Sequence, residues 1–551
     1  MKKTLLFSFS AILLSMNSYA QVTDLGGPIA WKSSFQNNVA VPVEKMQAFD
    51  LAAIQAEDAI NDQNKSTPWR FGYKHATNFN LTNAGAWQMT PEGRIWRIEL
   101  TSAGAMTINL LLEDMYLPQG AQLYLYDKAG TNRVGAYTAR NNNEDKVLGT
   151  ELVHGDHIVV EYFEPNAVAG QGTLTIAHVI HGYRSLTRVQ KDLQKGLNDS
   201  GACNVDVNCP LGDPWRNQIR SVAMIVVGGN GICTGALINN TCNDGTPYFL
   251  TANHCLGGGT SNWAFRFNWE SPDGTESCAT SSPSTNPGPP YDQTLNGATI
   301  LESGNQADHA LLRITNMVVQ DAIDWGLYYA GWNHSDVNNT SNVSSAIGIH
   351  HPSGDVKKIC QELQAPYHNT AGGASVWFID NWDSGVTEPG SSGSPLFDQN
   401  GRIIGQLYGG AAACSGTNDN GQYDYYGRLG VSWGLGISDH LAPSACGTAP
   451  LVLDGYDPNP ATAGISRPVP AIDFSVSPNP SNGSFTLSFA GGNAVTGTLV
   501  VTDISGRVVY TTDLSEAASA KIVLNDASNG SYMVRVTTAQ TTVNKTILVN
   551  N

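Results

Sequence analysis

The chain has 551 residues, of which 41% are hydrophobic and only 14% charged, with a net charge of −17 and an isoelectric point near 5.0. Its length exceeds one ordinary domain and suggests about three, and its acidity argues against nucleic acid as the main partner. Fifty-seven glycines point to a turn-rich, mostly β chain rather than a disordered one.

The first twenty residues, "MKKTLLFSFSAILLSMNSYA", combine two lysines, a short apolar stretch and a small-residue ending. They read as a secretory signal cut between Ala20 and Gln21, too brief to span a bilayer. Residues 21–195 contain no cysteine, and "RIWRIEL", "AQLYLYD" and "HIVVEYF" alternate like strands between Gly/Asn turns, which predicts an independent β domain. All nine cysteines lie between Cys203 and Cys446. In an exported chain that confinement marks a disulfide-stapled unit, and the odd number leaves at least one thiol without an intramolecular partner. Short strands at close intervals from Cys203 to about Tyr456, including "PYFLTANHC", "ALLRI" and "YYGRLGVSW", predict a barrel or sandwich, with one short helix at "GISDHLAPSA". Residues 457–471 form a Pro/Ala-rich linker, and residues 472–551 alternate as a small β-sandwich.

The stretch "TEPGSSGSPLF" offers three serines, Ser391, Ser392 and Ser394. A serine hydroxyl attacks only when a base takes its proton and donors hold the oxyanion. The G-x-S-G-x-P form makes Ser392 the nucleophile, with the N–H groups of Gly390 and Ser392 as oxyanion hole. His254 in "FLTANHC" follows a strand and adjoins Cys255, which would hold a general base rigidly. Asp308 opens the apolar strand of "ADHALLRI" and supplies a carboxylate to orient the imidazole. The order His254, Asp308, Ser392 is that of the chymotrypsin-type barrel rather than of subtilisin or the α/β-hydrolases. The adjacent His350 and His351 point to opposite faces if on a strand, so they read as structural rather than as a metal pair.

Residues 196–456 resemble the bacterial lysyl endopeptidases of the trypsin-like superfamily through "GACNVDVNCP", "FLTANHC", "AIGIHHPSGDVKKI", "TEPGSSGSPLF", "GQLYGG" and "YYGRLGVSW". The resemblance implies an all-β, chymotrypsin-like pair of six-stranded barrels with the triad between them. It also implies cleavage after lysine in protein or peptide substrates, without cofactor or metal, and disulfides Cys203–Cys414, Cys209–Cys278 and Cys233–Cys255. Cys242, Cys360 and Cys446 fall outside that framework. Asp424 in "QYDYYGR" matches the acid that binds the substrate's basic side chain, since a desolvated ammonium needs a counter-charge. Tyr408 in "GQLYGG" stands where the family often has a histidine. This leaves open a protease of the same fold cutting after arginine, or after either base. A protease-like binding or adhesion protein without turnover is the alternative from another class. Residues 196–456 hold eight basic residues, only Lys357 and Lys358 being lysines, against 23 acidic ones. Depletion of lysine suits an enzyme that must survive itself.

The region 21–195 resembles the pro-regions of these enzymes, a folding aid and inhibitor removed by cleavage at Lys195–Gly196, with Lys191 as the nearby alternative. The end of the chain, with "SPNPSNGSF", "DISGR" and "GSYMVRV", resembles a carboxy-terminal sorting domain of the type IX secretion system. That implies the secretion machinery of a Gram-negative bacterium as a partner, then release or surface anchoring. A monomer is expected.

Overall fold

The computed structural model describes residues 27–184, 200–271, 293–459 and 474–550, less a few short internal stretches. The expected signal segment, Lys191, Lys195, Gly196 and Cys278 lie outside the described residues.

Residues 27–184 form two packed sheets. One runs in the order Val43–Lys45, Gly93–Thr101, His157–Pro165, Gln122–Asp127, Arg133–Tyr137, and the other is built on Thr107–Tyr116 and Thr173–Gly182. Both bury alternate apolar side chains, among them Trp96, Leu110, Val160 and Ile176, in one core. An α-helix, Leu51–Asn61, is capped by Asp50, whose carboxylate accepts from the Ala53 N–H at 3.0 Å.

The central region has the all-β, chymotrypsin-like architecture, built on two sheets. The first runs Thr294–Asn296, Ala264–Arg266, Val222–Val227, Gly231–Leu237, Tyr248–Ala252, His309–Ile314, Ala298–Gly304. A strand from the preceding region, Trp69–Arg70, pairs antiparallel with Gly231–Leu237 and brings this sheet to eight strands. The second has ten strands and carries Ala346–His350, Pro395–Asp398, Ile403–Gly410 and Asp424–Arg428 as consecutive neighbours through its middle. Strands buried on both faces read as continuous apolar runs, and Val222–Val227 is buried at every position.

The stretch "YYGRLGVSW" is not all strand. Pairing stops at Arg428 and helix follows through Leu429–Ser432, Trp433–Ile437 and Ser438–Leu441. Leu429, Trp433, Ile437 and Leu441 recur every fourth residue and pack on one core, a helical period that short strand-like runs concealed.

Residues 460–551 are a separate compact unit. Its described part comprises a three-stranded sheet and a four-stranded sheet around Leu499, Val501, Val534, Val536 and Ile547. Gly530–Thr537 buries Tyr532, Val534 and Val536 and exposes the residues between them, the period of two that marks a sheet with one wet face.

Candidate active site

His254 lies in the short turn Asn253–Cys255 that ends the strand Tyr248–Ala252. Asp308 immediately precedes the strand His309–Ile314, which pairs with it. That pairing sets the two side chains together: His254 Nδ1 is 2.7 Å from Asp308 Oδ2, and Asp308 Oδ1 accepts the His254 backbone N–H at 2.9 Å. Asp308 adopts φ +50°, a left-handed conformation uncommon outside glycine. The disulfide Cys233–Cys255 fixes the residue after the imidazole to the neighbouring strand.

Ser392 comes from the second sheet, in the turn before Pro395–Asp398. Gly390 has φ +98°, and a Cβ there would come within 3.0 Å of the His351 carbonyl. Within the turn the N–H groups of Ser391, Gly393 and Ser394 are bonded to Glu388, Leu407 and Ser391 carbonyls. Those of Gly390 and Ser392 have no such partner among the described residues, which leaves them as donors for an oxyanion. Ser391 accepts from the Glu388 N–H at 3.2 Å and lies 2.8 Å from His350 Nδ1. His351 Nδ1 donates instead to the Asp355 carbonyl at 3.0 Å. The two histidines therefore brace different backbone segments. Burial, with the cations of Lys65 and Lys358 nearby, pushes His350 down to about 3, so it braces the turn as a neutral ring. Among the described residues no cluster of three His, Cys, Asp or Glu side chains is placed to hold a metal ion.

Asp424 begins the strand Asp424–Arg428 and is fully buried. Its Oδ2 accepts from Trp382 Nε1 at 2.8 Å and from Thr387 Oγ1 at 2.7 Å. Its Oδ1 is 2.6 Å from the ammonium of Lys65, itself only 2% exposed. Burial raises the carboxyl, against the pull of Lys65 and the two donors. Gly410 lies opposite on the neighbouring strand, where a Cβ would sit 2.1 Å from Asp424 Oδ1. Any side chain at Gly410 would fill the cradle.

Sequence reasoning missed Lys65, Trp382 and Thr387 as partners of Asp424; Thr387 opens the stretch "TEPGSSGSPLF", but all three meet the carboxylate only through the fold. Tyr408 packs beside the imidazole, its ring centroid 5.9 Å from that of His254, and burial raises its phenol. Cys203–Cys414 and Cys233–Cys255 are disulfides, and Cys209 is also disulfide-bonded. Cys242 and Cys446, left open by the sequence, pair with each other. Cys360 is the free thiol, buried and raised by desolvation.

Residues 197–427, carrying His254, Asp308, Ser392 and Asp424, match the family described as lysyl endopeptidase, C-terminal domain. Over this stretch the central domain is similar to the lysyl endopeptidases. The chain is also 28% identical over 392 residues to a lysyl endopeptidase of Pseudomonas aeruginosa, covering 68% of this chain and 80% of that protein. Among solved structures, it is similar to an HtrA-type protease, AlgW, with a tripeptide, at 13% identity and a TM-score of 0.27, over 61% of this chain and 96% of that one. A Glu endopeptidase has 18% identity and a TM-score of 0.24, over 43% and 95%. Residues 475–550 match the secretion system C-terminal sorting domain. The chain is therefore exported by the type IX route of Gram-negative bacteria, to the medium or the outer surface.

Proposed function

We propose that this serine endopeptidase cuts peptide bonds on the carboxyl side of lysine. Ser392 attacks the carbonyl and His254 takes its proton and returns it to the leaving amine. Asp308 holds the imidazole in register, and the Gly390 and Ser392 N–H groups receive the oxyanion. The observation that carries this reading is a single residue bridging pocket and nucleophile. The Lys65 ammonium meets Asp424 at 2.6 Å while the Ser392 hydroxyl donates to the Lys65 carbonyl at 2.6 Å.

The preference for lysine over arginine rests on the carboxylate's free valence. Trp382 and Thr387 occupy Oδ2, so the pocket offers a cation one oxygen. A compact ammonium needs one acceptor, whereas the planar guanidinium fork binds a carboxylate best through both. The enzyme's own composition agrees. Lys357 and Lys358 are fully buried, donating to the Ile219 carbonyl and the Asp206 carboxylate. By contrast Lys32, Lys45, Lys128 and Lys146 of the preceding region are exposed.

On this reading residues 1–20 are a signal peptide, 21–195 a pro-region released at Lys195–Gly196, 196–456 the catalytic domain, 457–471 a linker and 472–551 the sorting domain. The mature enzyme works as a monomer. The test is digestion of a denatured protein by the processed enzyme beside Ser392→Ala, with new termini read by mass spectrometry. Cuts after lysine, absent from the variant, are expected. Cuts after arginine as well would broaden the specificity, and no cleavage at all would favour a binding protein.

A further inference from the structure

Lys65 reaches the site from outside the central domain, and the chain after it leaves in a defined direction. Trp69 and Arg70 pair with Ile232 and Gly231, and the Phe71 N–H donates to the Asn230 carbonyl at 2.9 Å. The segment therefore lies across the site as a substrate would, side chain in the pocket, carbonyl at the serine and following residues added as a strand to the first sheet.

Two features separate it from an ordinary substrate. First, the Lys65 carbonyl accepts the Ser392 hydroxyl's hydrogen bond and makes no backbone hydrogen bond with Gly390 or Ser392, while His254 Nε2 has no partner among the described residues. The carbonyl stands outside the two backbone donors and the nucleophile's proton is turned from its base. Second, both flanks of Lys65 are tied to one another. Asp58, on the helix before it, is 2.7 Å from Arg70 and 2.7 Å from Arg184, and accepts from Tyr183 Oη at 2.7 Å. Arg70 also reaches Glu57 and the Ile54 carbonyl, and Arg184 reaches Asp62 at 2.6 Å.

We propose that Lys65 is the reactive residue of a braced inhibitory loop that makes residues 27–184 a lysine-directed protease inhibitor acting in cis. This rests on the lysyl-pocket reading above and adds the residue and the mechanism. If acylation begins, the Ser392 Oγ–Lys65 carbon bond forms and the Lys65 carbon–Ser66 nitrogen bond breaks, the serine proton passing through His254 to the Ser66 amine. A free substrate loses that amine to solvent. Here strand pairing on one side and the arginine braces on the other hold it at the acyl carbon. Its effective concentration then favours re-formation of the peptide bond over attack by water.

Two measurements on the full chain test this. In a Ser392→Ala background, which needs no turnover, dansylcadaverine, a fluorescent primary alkylammonium, titrates the Asp424 pocket. We expect no binding with Lys65 present, and at least ten-fold tighter binding with Lys65→Ala or the longer-stemmed Lys65→Met. Equal affinities overturn the plug, and circular dichroism establishes that the variants are folded. In the active chain, peptide mapping over time should find Lys65–Ser66 cut more slowly than the bonds after Lys45 and Lys128. Arg70→Ala/Arg184→Ala should speed that cut at least ten-fold. Cleavage after Lys65 as fast as after Lys45 overturns the brace. An enzyme that cuts after no lysine in either chain sinks the lysyl assignment instead, and leaves the probe titration to judge the plug.

Discussion

Asp308 holds His254 twice, one oxygen on the imidazole Nδ1 at 2.7 Å and the other on the same residue's backbone N–H at 2.9 Å. The first contact sets the tautomer and the second the position of the ring. The carboxylate reaches both because Asp308 takes a positive φ at the start of its strand. Asp308→Asn keeps the shape but can present an amide N–H to Nδ1, favouring the wrong tautomer. We expect kcat to fall roughly 10³–10⁴-fold with KM little changed. A loss below ten-fold in steady-state kinetics on a lysyl peptide would remove Asp308 from the mechanism.

Asp424 makes a different prediction. Removing one partner of a buried ion pair costs about 3–5 kcal/mol, so Asp424→Asn should cut kcat/KM for lysyl peptides by roughly 10²–10⁴-fold. Thr387→Val leaves the charge and frees one acceptor on Oδ2. It should narrow the lysine-over-arginine ratio measured with paired peptide substrates. An unchanged ratio would show that the occupied oxygen does not set the preference.

Stability should fall in acid for a reason visible in the core. His309 is fully buried with neither ring nitrogen hydrogen-bonded among the described residues, and burial pushes it down to about 4. His350 falls to about 3. The unfolded chain takes protons near pH 6.5 that these folded rings refuse. Each therefore withdraws about 1.4 kcal/mol of stability per pH unit below 6.5, until its folded value is reached. Thermal unfolding of the Ser392→Ala chain should show Tm dropping from pH 6.5 to 4.5, less steeply in His309→Leu. Parallel curves would exclude His309 as a source.

The disulfide Cys242–Cys446 closes a separation of 204 residues and ties the end of the helical segment back to the first sheet, with neither cysteine among the site residues. Its removal as Cys242→Ala/Cys446→Ala should cost about 3–5 kcal/mol. We expect a Tm lower by several degrees with kcat/KM at 25 °C retained. An unchanged Tm would mean that the helix packing alone holds this end.

Local pattern carried the strands, because alternate burial writes a period of two into the chain, as in Gly530–Thr537. It also singled out His254 and Asp308, which the structure sets in contact, and Ser392 in its turn. It misjudged Leu429–Trp433, where helix follows strand without a cap or proline to mark the change, while the expected short helix is found at Ser438–Leu441.

What the sequence by itself determined is the chemistry available: an exported, cysteine-stapled β chain with a serine, a histidine and two acids in a telling order. What only the tertiary structure decided is which groups meet. Lys65 and Asp424 are 359 residues apart, and Trp382 and Thr387 reach the same carboxylate from the segment that leads into the serine turn. Contacts of that kind depend on how two sheets and a preceding domain pack. Packing is a property of the assembled surfaces, and no local period in the chain records it.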